Sequence, residues 1–265
     1  QCAYPYGILF NKPTFQNAIS GDVIANNNNI TLSSSIGTTN YIYNKNGVTS
    51  ETYSNNTFSS GTISSTSTTY LIYSDNNTSN KTISGNQTSG SFITSGNLYC
   101  YYNSNGPFGS GTEAVYNNNF SNIQIGSSSS MTVIYAMGGY YTRNIYNNTF
   151  SHLTGGSGNT YTIYSTTSSQ SNIYNNAINN ITAAGIIRAV YAGGSNINIY
   201  LNHIHTINTS GSELIGLYYN GYGTSHIYRN QIYNLSSSAA SSVKVYGTYY
   251  ATNSYSSFDL YIYNN

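Results

Sequence analysis

The 265-residue sequence predicts an all-β solenoid of about nine turns, in which short parallel strands stack coil upon coil. Three observations predict it. A short motif recurs at steps of 28, 26 and 28 residues across its clearest copies, one polar residue type occupies the same place in every copy, and apolar residues show no helical spacing.

The motif reads IYNNTF (145–150), IYNNAI (173–178), IYLNHI (199–204) and IYRNQI (227–232), and extends to VYNNNF (115–120), ISGNQT (83–88), YSNNTF (53–58), IANN (24–27) and IYNN (262–265). Its first place is large and mostly β-branched (Ile24, Tyr53, Ile83, Val115, Ile145, Ile173, Ile199, Ile227, Ile262), as an inward strand position requires. Three places on stand Asn27, Asn56, Asn86, Asn118, Asn148, Asn176, Asn202, Asn230 and Asn265. Turns that stack about 4.8 Å apart bring these side chains into one column. An amide carries both donors and acceptors, so an inward Asn can bond the Asn above, the Asn below and the backbone. Asn also tolerates left-handed backbone, which suits a bend between strands.

A second strand in each unit carries an apolar–Tyr pair: Ile42-Tyr43, Ile72-Tyr73, Tyr101-Tyr102, Ile134-Tyr135, Ile163-Tyr164, Val190-Tyr191, Leu217-Tyr218 and Val245-Tyr246. A third short strand is expected around Leu153 and its equivalents. Side chains alternate across a strand, so the tyrosines after the leading apolar residue (Tyr116, Tyr146, Tyr174, Tyr200, Tyr228, Tyr263) form one outward ladder, and those of the second strand form another. Stacking that stabilises the sheet, or a sticky face for sugars, follows from such ladders.

The recurring I-x-x-N-x-[IF]-x-x-[IL] pattern resembles the right-handed parallel β-helix of the pectate-lyase-like superfamily, with its internal Asn ladder, over roughly residues 20 to 265. The wording of the repeats is also similar to that of secreted surface proteins of Bacteroidetes. The resemblance implies fold more than activity, because that superfamily includes lyases, hydrolases, tailspikes, adhesins and inert stalks.

Composition narrows function. Charged residues make up 5% of the chain against a usual quarter, with a net charge of +1, so a polybasic nucleic-acid groove is excluded. No stretch reaches the roughly 18 apolar residues of a membrane span, and the start at Gln1 suggests a processed, exported chain. Of the few charges, Asp22, Glu51, Lys81, Glu113 and Arg143 share the column two places before the leading residue, which predicts an exposed ion ladder of alternating sign from Glu51 onward. Glu51 and Glu113, two turns apart, lie within the roughly 5–10 Å that glycoside hydrolysis uses, but Lys81 between them would hold both ionised. No catalytic residue, cofactor or metal site is expected; His203 and His205 share one strand face without an evident third ligand. Cys2 and Cys100 permit one disulfide, within or between molecules.

The expected domains are a cap or arm over residues 1–20 and one solenoid over 21–265, open at its C-terminal end. Nine rises of about 4.8 Å give a length of roughly 43 Å. The function expected is an extracellular or cell-surface structural protein, a stalk or a filament subunit that partners itself head to tail. The alternatives are an adhesin or carbohydrate-binding solenoid and, less favoured, a polysaccharide lyase or glycoside hydrolase.

Overall fold

The structure is a computed structural model that describes residues 6–10, 21–45, 49–74, 78–105, 111–139, 141–167, 169–240, 242–251, 258–263 and 265. Every regular element among them is a strand, and every strand pairing is parallel. No helix is long and apolar enough to cross a membrane.

One turn shows the plan. Thr142–Tyr146 belongs to sheet B, Thr149–Gly155 to sheet C and Thr160–Thr167 to sheet A, after which the chain returns to sheet B with Gln170–Tyr174. Each strand pairs in register with its equivalents one turn away, as Ile145 does with Val115 and Ile173, and Ile163 with Ile134 and Val190. Inside the coil Ile145, Phe150, Leu153 and Ile163 are fully buried, and their equivalents continue each column. The solenoid has about seven well-formed turns, slightly fewer than the nine motif copies, because the first and last copies build partial layers. Tyr6–Phe10 pairs with Thr39–Asn44 as the outermost strand of sheet A, while the rest of the first 20 residues, Cys2 included, lies outside the described residues.

Two corners per turn use left-handed backbone. At the corner between sheets B and C the residue before the ladder Asn has φ near +55° (Asn55, Asn117, Asn147, Asn175, Leu201, Arg229), and Gly85 fills the same place. The left-handed residue is therefore the neighbour of the ladder Asn, not the ladder Asn itself. The second corner falls within sheet C, at Asn122, His152, Asn180, Thr206 and Asn234. It lets Phe150 and Leu153, three residues apart, both point inward, so the strand expected around Leu153 is the second arm of one bent strand.

The Asn column is continuous. Nδ2 of Asn56, Asn86, Asn118, Asn148, Asn176 and Asn202 each donates to Oδ1 of the next ladder Asn at 2.9 Å, and Asn230 reaches Asn265 at 3.0 Å. The other Nδ2 hydrogen drops to a carbonyl one turn back, as Asn148 does to Val115 and Asn176 to Ile145. Each acceptor oxygen takes a second bond from the backbone N–H of the preceding Asn. Both hydrogens and both lone pairs are thus used inside a closed core.

The first copy is shifted by one residue. Ala25 pairs with Tyr53 and is buried, whereas Ile24 is 59% exposed. The first ladder residue is Asn28, which donates to Asn56 at 2.8 Å, and Asn27 is the left-handed residue before it, with φ 60°. Four consecutive asparagines fit either frame, but only the Ala25 frame puts Ile30 opposite Phe58 in the core.

Asn176→Ala leaves several buried partners unsatisfied and is expected to destabilise the chain by about 3 kcal/mol, while Asn28→Ala, at the half-exposed first layer, costs less than half as much. Thermal melts of the two variants check the ranking. Leu201→Asn, which puts the residue found at Asn55, Asn117, Asn147 and Asn175 into a left-handed site, is expected to raise stability by about 1 kcal/mol in the same assay.

Candidate functional site

The residues singled out by charge and aromaticity fall into an interior charge stack and two exterior tyrosine ladders, beside a groove that the sequence did not announce. Glu51, Lys81, Glu113 and Arg143 occupy one column of sheet B, with Glu51 opposite Lys81, Lys81 opposite Glu113 and Glu113 opposite Arg143. The alternation of sign is present, but the exposure expected of it is not: all four side chains are at most 1% exposed. The reason is parity. A position two before an inward residue also points inward. Asp22 does not belong to the column. The shifted first turn puts Val23 there and leaves Asp22 outside, bonded to Ser50 Oγ.

The interior supplies partners for each charge. Glu51 accepts from Tyr53 at 3.0 Å, Thr78 at 2.6 Å and Ser74. Lys81 Nζ donates to the Ser74 carbonyl (2.8 Å) and Asn103 Oδ1 (3.1 Å). Arg143 Nε meets Glu113 at 2.6 Å, and its Nη1 donates to the carbonyls of Ala136 and Thr166, both at 2.8 Å. Glu113 also accepts from Tyr101, Tyr141 and Asn103. Burial pushes the Glu113 carboxyl up, but the Arg143 and Lys81 charges and the two phenols overcome it and hold the pKa at about 2. Burial first, and then the nearby carboxylates, push the Tyr53 and Tyr101 phenols well above their ordinary value. Such groups stay fixed in charge across the physiological range. Neither carboxylate faces the outside, where a polysaccharide would lie.

On the outer face of sheet B, Tyr116, Tyr146, Tyr174, Tyr200, Tyr228 and Tyr263 stack with centroids 4.9–5.0 Å apart and planes within 5° of parallel. Beside them Asn172 Nδ2 donates to Asn144 (2.8 Å) and Asn198 Nδ2 to Asn172 (2.9 Å), an exterior amide row. On sheet A the ladder runs Tyr43, Tyr73, Tyr102, Tyr135, Tyr164, Tyr191 and Tyr218, with spacings of 4.5–5.2 Å. Its last member is Tyr249, not Tyr246: Leu217 pairs with Thr248 and Tyr218 with Tyr249, while Tyr246 stands opposite Ile215. The Val245-Tyr246 pair imitates the motif three residues early. Sequence reasoning missed a second sheet A column, in which Tyr70, Tyr99 and Tyr161 brace the ladder edge-on at 5.0–5.3 Å, and Arg188 lies 4.6 Å over Tyr218 while bridging Glu213 at 2.7 Å. Period-2 counting from Tyr102 or Tyr164 passes over these residues because an extra inward residue, Cys100 or Thr162, intervenes.

In both ladders each ring covers its neighbours' faces. What reaches solvent is a row of edges and hydroxyls. Cys100 is a free thiol sealed in the core, and burial pushes its pKa up; its proposed partner Cys2 lies outside the described residues. His203 and His205 do share a face, 4.5 Å apart, with His205 stacked on Tyr233 and His203 Nε2 at 2.8 Å from its hydroxyl. No group of three His, Cys, Asp or Glu side chains that could hold a metal occurs among the described residues.

The bend inside sheet C makes its outer face concave. Open depressions lie along it, one past Asn122, Gln124, His152 and Thr154 and another past Asn180, Thr182, Thr206, Asn208, Asn234 and Ser236. The depression past Asn180, Thr206 and Asn234 has a volume of about 690 Å³.

Glu113→Gln leaves the Arg143 charge unopposed in the core and is expected to cost about 3–5 kcal/mol, most of it recovered by adding Arg143→Met. The pH dependence has a definite sign. The folded pKa lies below the unfolded carboxyl value of about 4.3, so this stabilisation is complete above that value and fades as pH falls towards 2. Acid titration of wild type and the double variant, followed by circular dichroism, checks both statements.

No protein-family model matches the chain, and neither the characterised proteins nor the solved structures compared with it include a match.

Proposed function

We propose that this chain is an extracellular structural protein, a rod that serves as a surface stalk or as the subunit of a head-to-tail filament. The observation that supports this most is the uniformity of the layers. The Asn amide chain, the tyrosine stacks and the backbone ladders keep one geometry from turn to turn, so cohesion is spread evenly along the axis. A turn added in the same register, by this chain or a second copy, meets the same set of partners. The likeness of the repeats to the pectate-lyase-like β-helices and to secreted Bacteroidetes surface proteins supports an exterior location. With 13 charged residues in the sequence and four of them sealed inside, little of the cohesion between layers depends on exposed charge, which suits a fibre in variable salt.

Interior burial of Glu51 and Glu113 speaks against the hydrolase reading of that pair. The adhesin reading, in which Tyr146, Tyr174 and Tyr200 stack on sugar rings, gains little from the ladder, because those rings already cover one another. Negative-stain electron microscopy of the purified chain over a range of concentrations tests the proposal. Unbranched threads whose length grows with concentration are expected, with a meridional fibre reflection near 4.8 Å. Compact particles at every concentration would remove the filament form.

A further inference from the structure

We propose that His203, His205 and Tyr233 form a surface site for a divalent transition-metal ion, best suited to Cu(II). This goes beyond the rod reading and does not rest on it, since a rod can assemble without binding a metal.

The strand His203–Thr209 turns Ile204 and Ile207 into the core, and alternation sends His203 and His205 outward on its first arm. Their ring centroids stand 4.5 Å apart. Two imidazoles bound in cis positions to one metal at about 2.0 Å bring their centroids to roughly 4–5 Å, so the pair already has the spacing of a chelate. The next layer supplies a third donor. Tyr233 stands opposite His205 in register, stacks on it at 4.9 Å and brings its hydroxyl to 2.8 Å from His203 Nε2. Neighbouring donors around one small metal ion lie about 3 Å apart, which that nitrogen and oxygen satisfy. Sequence spacing shows the His-x-His pair alone, because the phenol comes from 30 residues after His203.

The backbone holds the second imidazole ready. Thr206 has φ 56°, a left-handed conformation costly for a β-branched residue, where the same bend in other layers uses Asn122, Asn180 and Asn234. Its Oγ1 lies 2.9 Å from His205 Nδ1. A ligating imidazole bonds through its other nitrogen to a neighbouring group, which fixes its tautomer and orientation. With Nδ1 donating to Thr206, His205 Nε2 keeps its lone pair for a metal. Thr206 is thus a positioning residue, and that role accounts for the strain at this bend.

Chemistry narrows the ion. Among the described residues no carboxylate joins the two imidazoles, so a hard cation such as Ca²⁺ lacks its oxygen ligands. Cys100 is sealed in the core, so no thiolate favours Cu(I). Two imidazole nitrogens and one phenolate oxygen suit Cu(II), which also exceeds the other divalent first-row metals in affinity for such donors. Binding moves one proton and no electrons: the phenol hydrogen leaves to solvent as its oxygen joins the metal.

Titration of the full chain with CuCl₂ against glycine as competitor, followed by absorption and electron paramagnetic resonance, tests this. One tight Cu(II) per chain is expected, with nitrogen splitting in the resonance spectrum and a phenolate-to-copper charge-transfer band in the visible. His203→Ala and His205→Ala are each expected to weaken binding at least roughly tenfold, and Tyr233→Phe to abolish the band. Should His205→Ala lose its β circular dichroism, His205→Gln removes the imidazole with less loss of bulk. Thr206→Gly is expected to weaken binding about tenfold while raising the melting temperature, an opposed pair that a merely structural role does not produce. His226, which stacks on Tyr261, is the control, and His226→Ala should change nothing. The proposal is overturned by the absence of a tight Cu(II) site, by a site without the band, by binding that survives folded loss of both imidazoles, by a band that persists in Tyr233→Phe, or by binding lost with His226→Ala. Unchanged affinity in Thr206→Gly overturns the positioning role. Electron microscopy of the same samples reads the rod separately, so failure of one reading leaves the other standing.

Discussion

The amide at the corner between sheets B and C is the constraint on which the rest of this structure depends. A coil of short strands has no helix or hairpin to fix where one turn sits on the next, and a slip of one residue would turn every inward side chain outward. The Asn chain prevents the slip. Each Asn bonds the equivalent Asn in both adjoining layers and a carbonyl one turn back, so a displaced layer would strand several buried polar atoms at once. The left-handed residue before it sets the angle at which the amide enters the core. Ile columns supply burial that several apolar registers would supply; in the later layers the amide distinguishes them, while in the first, where four asparagines fit either frame, Ile30 does.

The interior charge stack is a second solution to the same problem of polar groups in a narrow core. From Glu51 to Arg143 the inward column of sheet B carries alternating charge, where later turns carry Ser171, Ile197 and Ser225. A buried ion pair gives little net stability over an apolar replacement, yet loss of one partner is severe. What such a stack contributes is specificity: Glu113 next to Lys81 on one side and Arg143 on the other tolerates no exchange of layers. Sheet A takes part, since Ser74 and Asn103 reach across to Lys81, so the stack also ties two sheets together.

Most of the fold was legible in the sequence, because stacking converts three-dimensional contact into one-dimensional recurrence. The ladder from Asn56 to Asn265 and the sheet B tyrosines could be aligned by eye, since each position faces one unchanging environment. Legibility failed where recurrence was ambiguous or parity was not carried through. The run of four asparagines at 26–29 hides a frame shift of one residue that moves Asn27 off the ladder and Asp22 off the charge column, and Ile30 marks the right frame. The Val245-Tyr246 pair imitates the motif and so stands in the sequence where Tyr249 stands in the ladder. Charge suggests an exposed column from Glu51 to Arg143, but its spacing of two from the inward residue makes it interior. The sheet C depressions left no signature at all: their floor looks like any other Ser, Thr and Asn of this chain until the bend at Asn180 and Thr206 draws it inward.

Repetition also separates the roles of the exterior columns. Where every layer must stack on the next, side chains become uniform, as in the sheet B ladder from Tyr116 to Tyr263, and a uniform stack presents only its edges. Uniformity there serves cohesion and leaves little for recognition. The sheet C floor stands at the same repeat, but among the described residues no ring stack links Gln124, Thr154, Thr182, Asn208 and Ser236 from layer to layer. Its members therefore vary from Gln124 through Thr154 and Asn208 to Ser236 while remaining polar and uncharged. A column free to differ in size from layer to layer can change without weakening the coil. On a solenoid whose stability resides in its ladders, surface chemistry that the ladders do not use is where binding can be added.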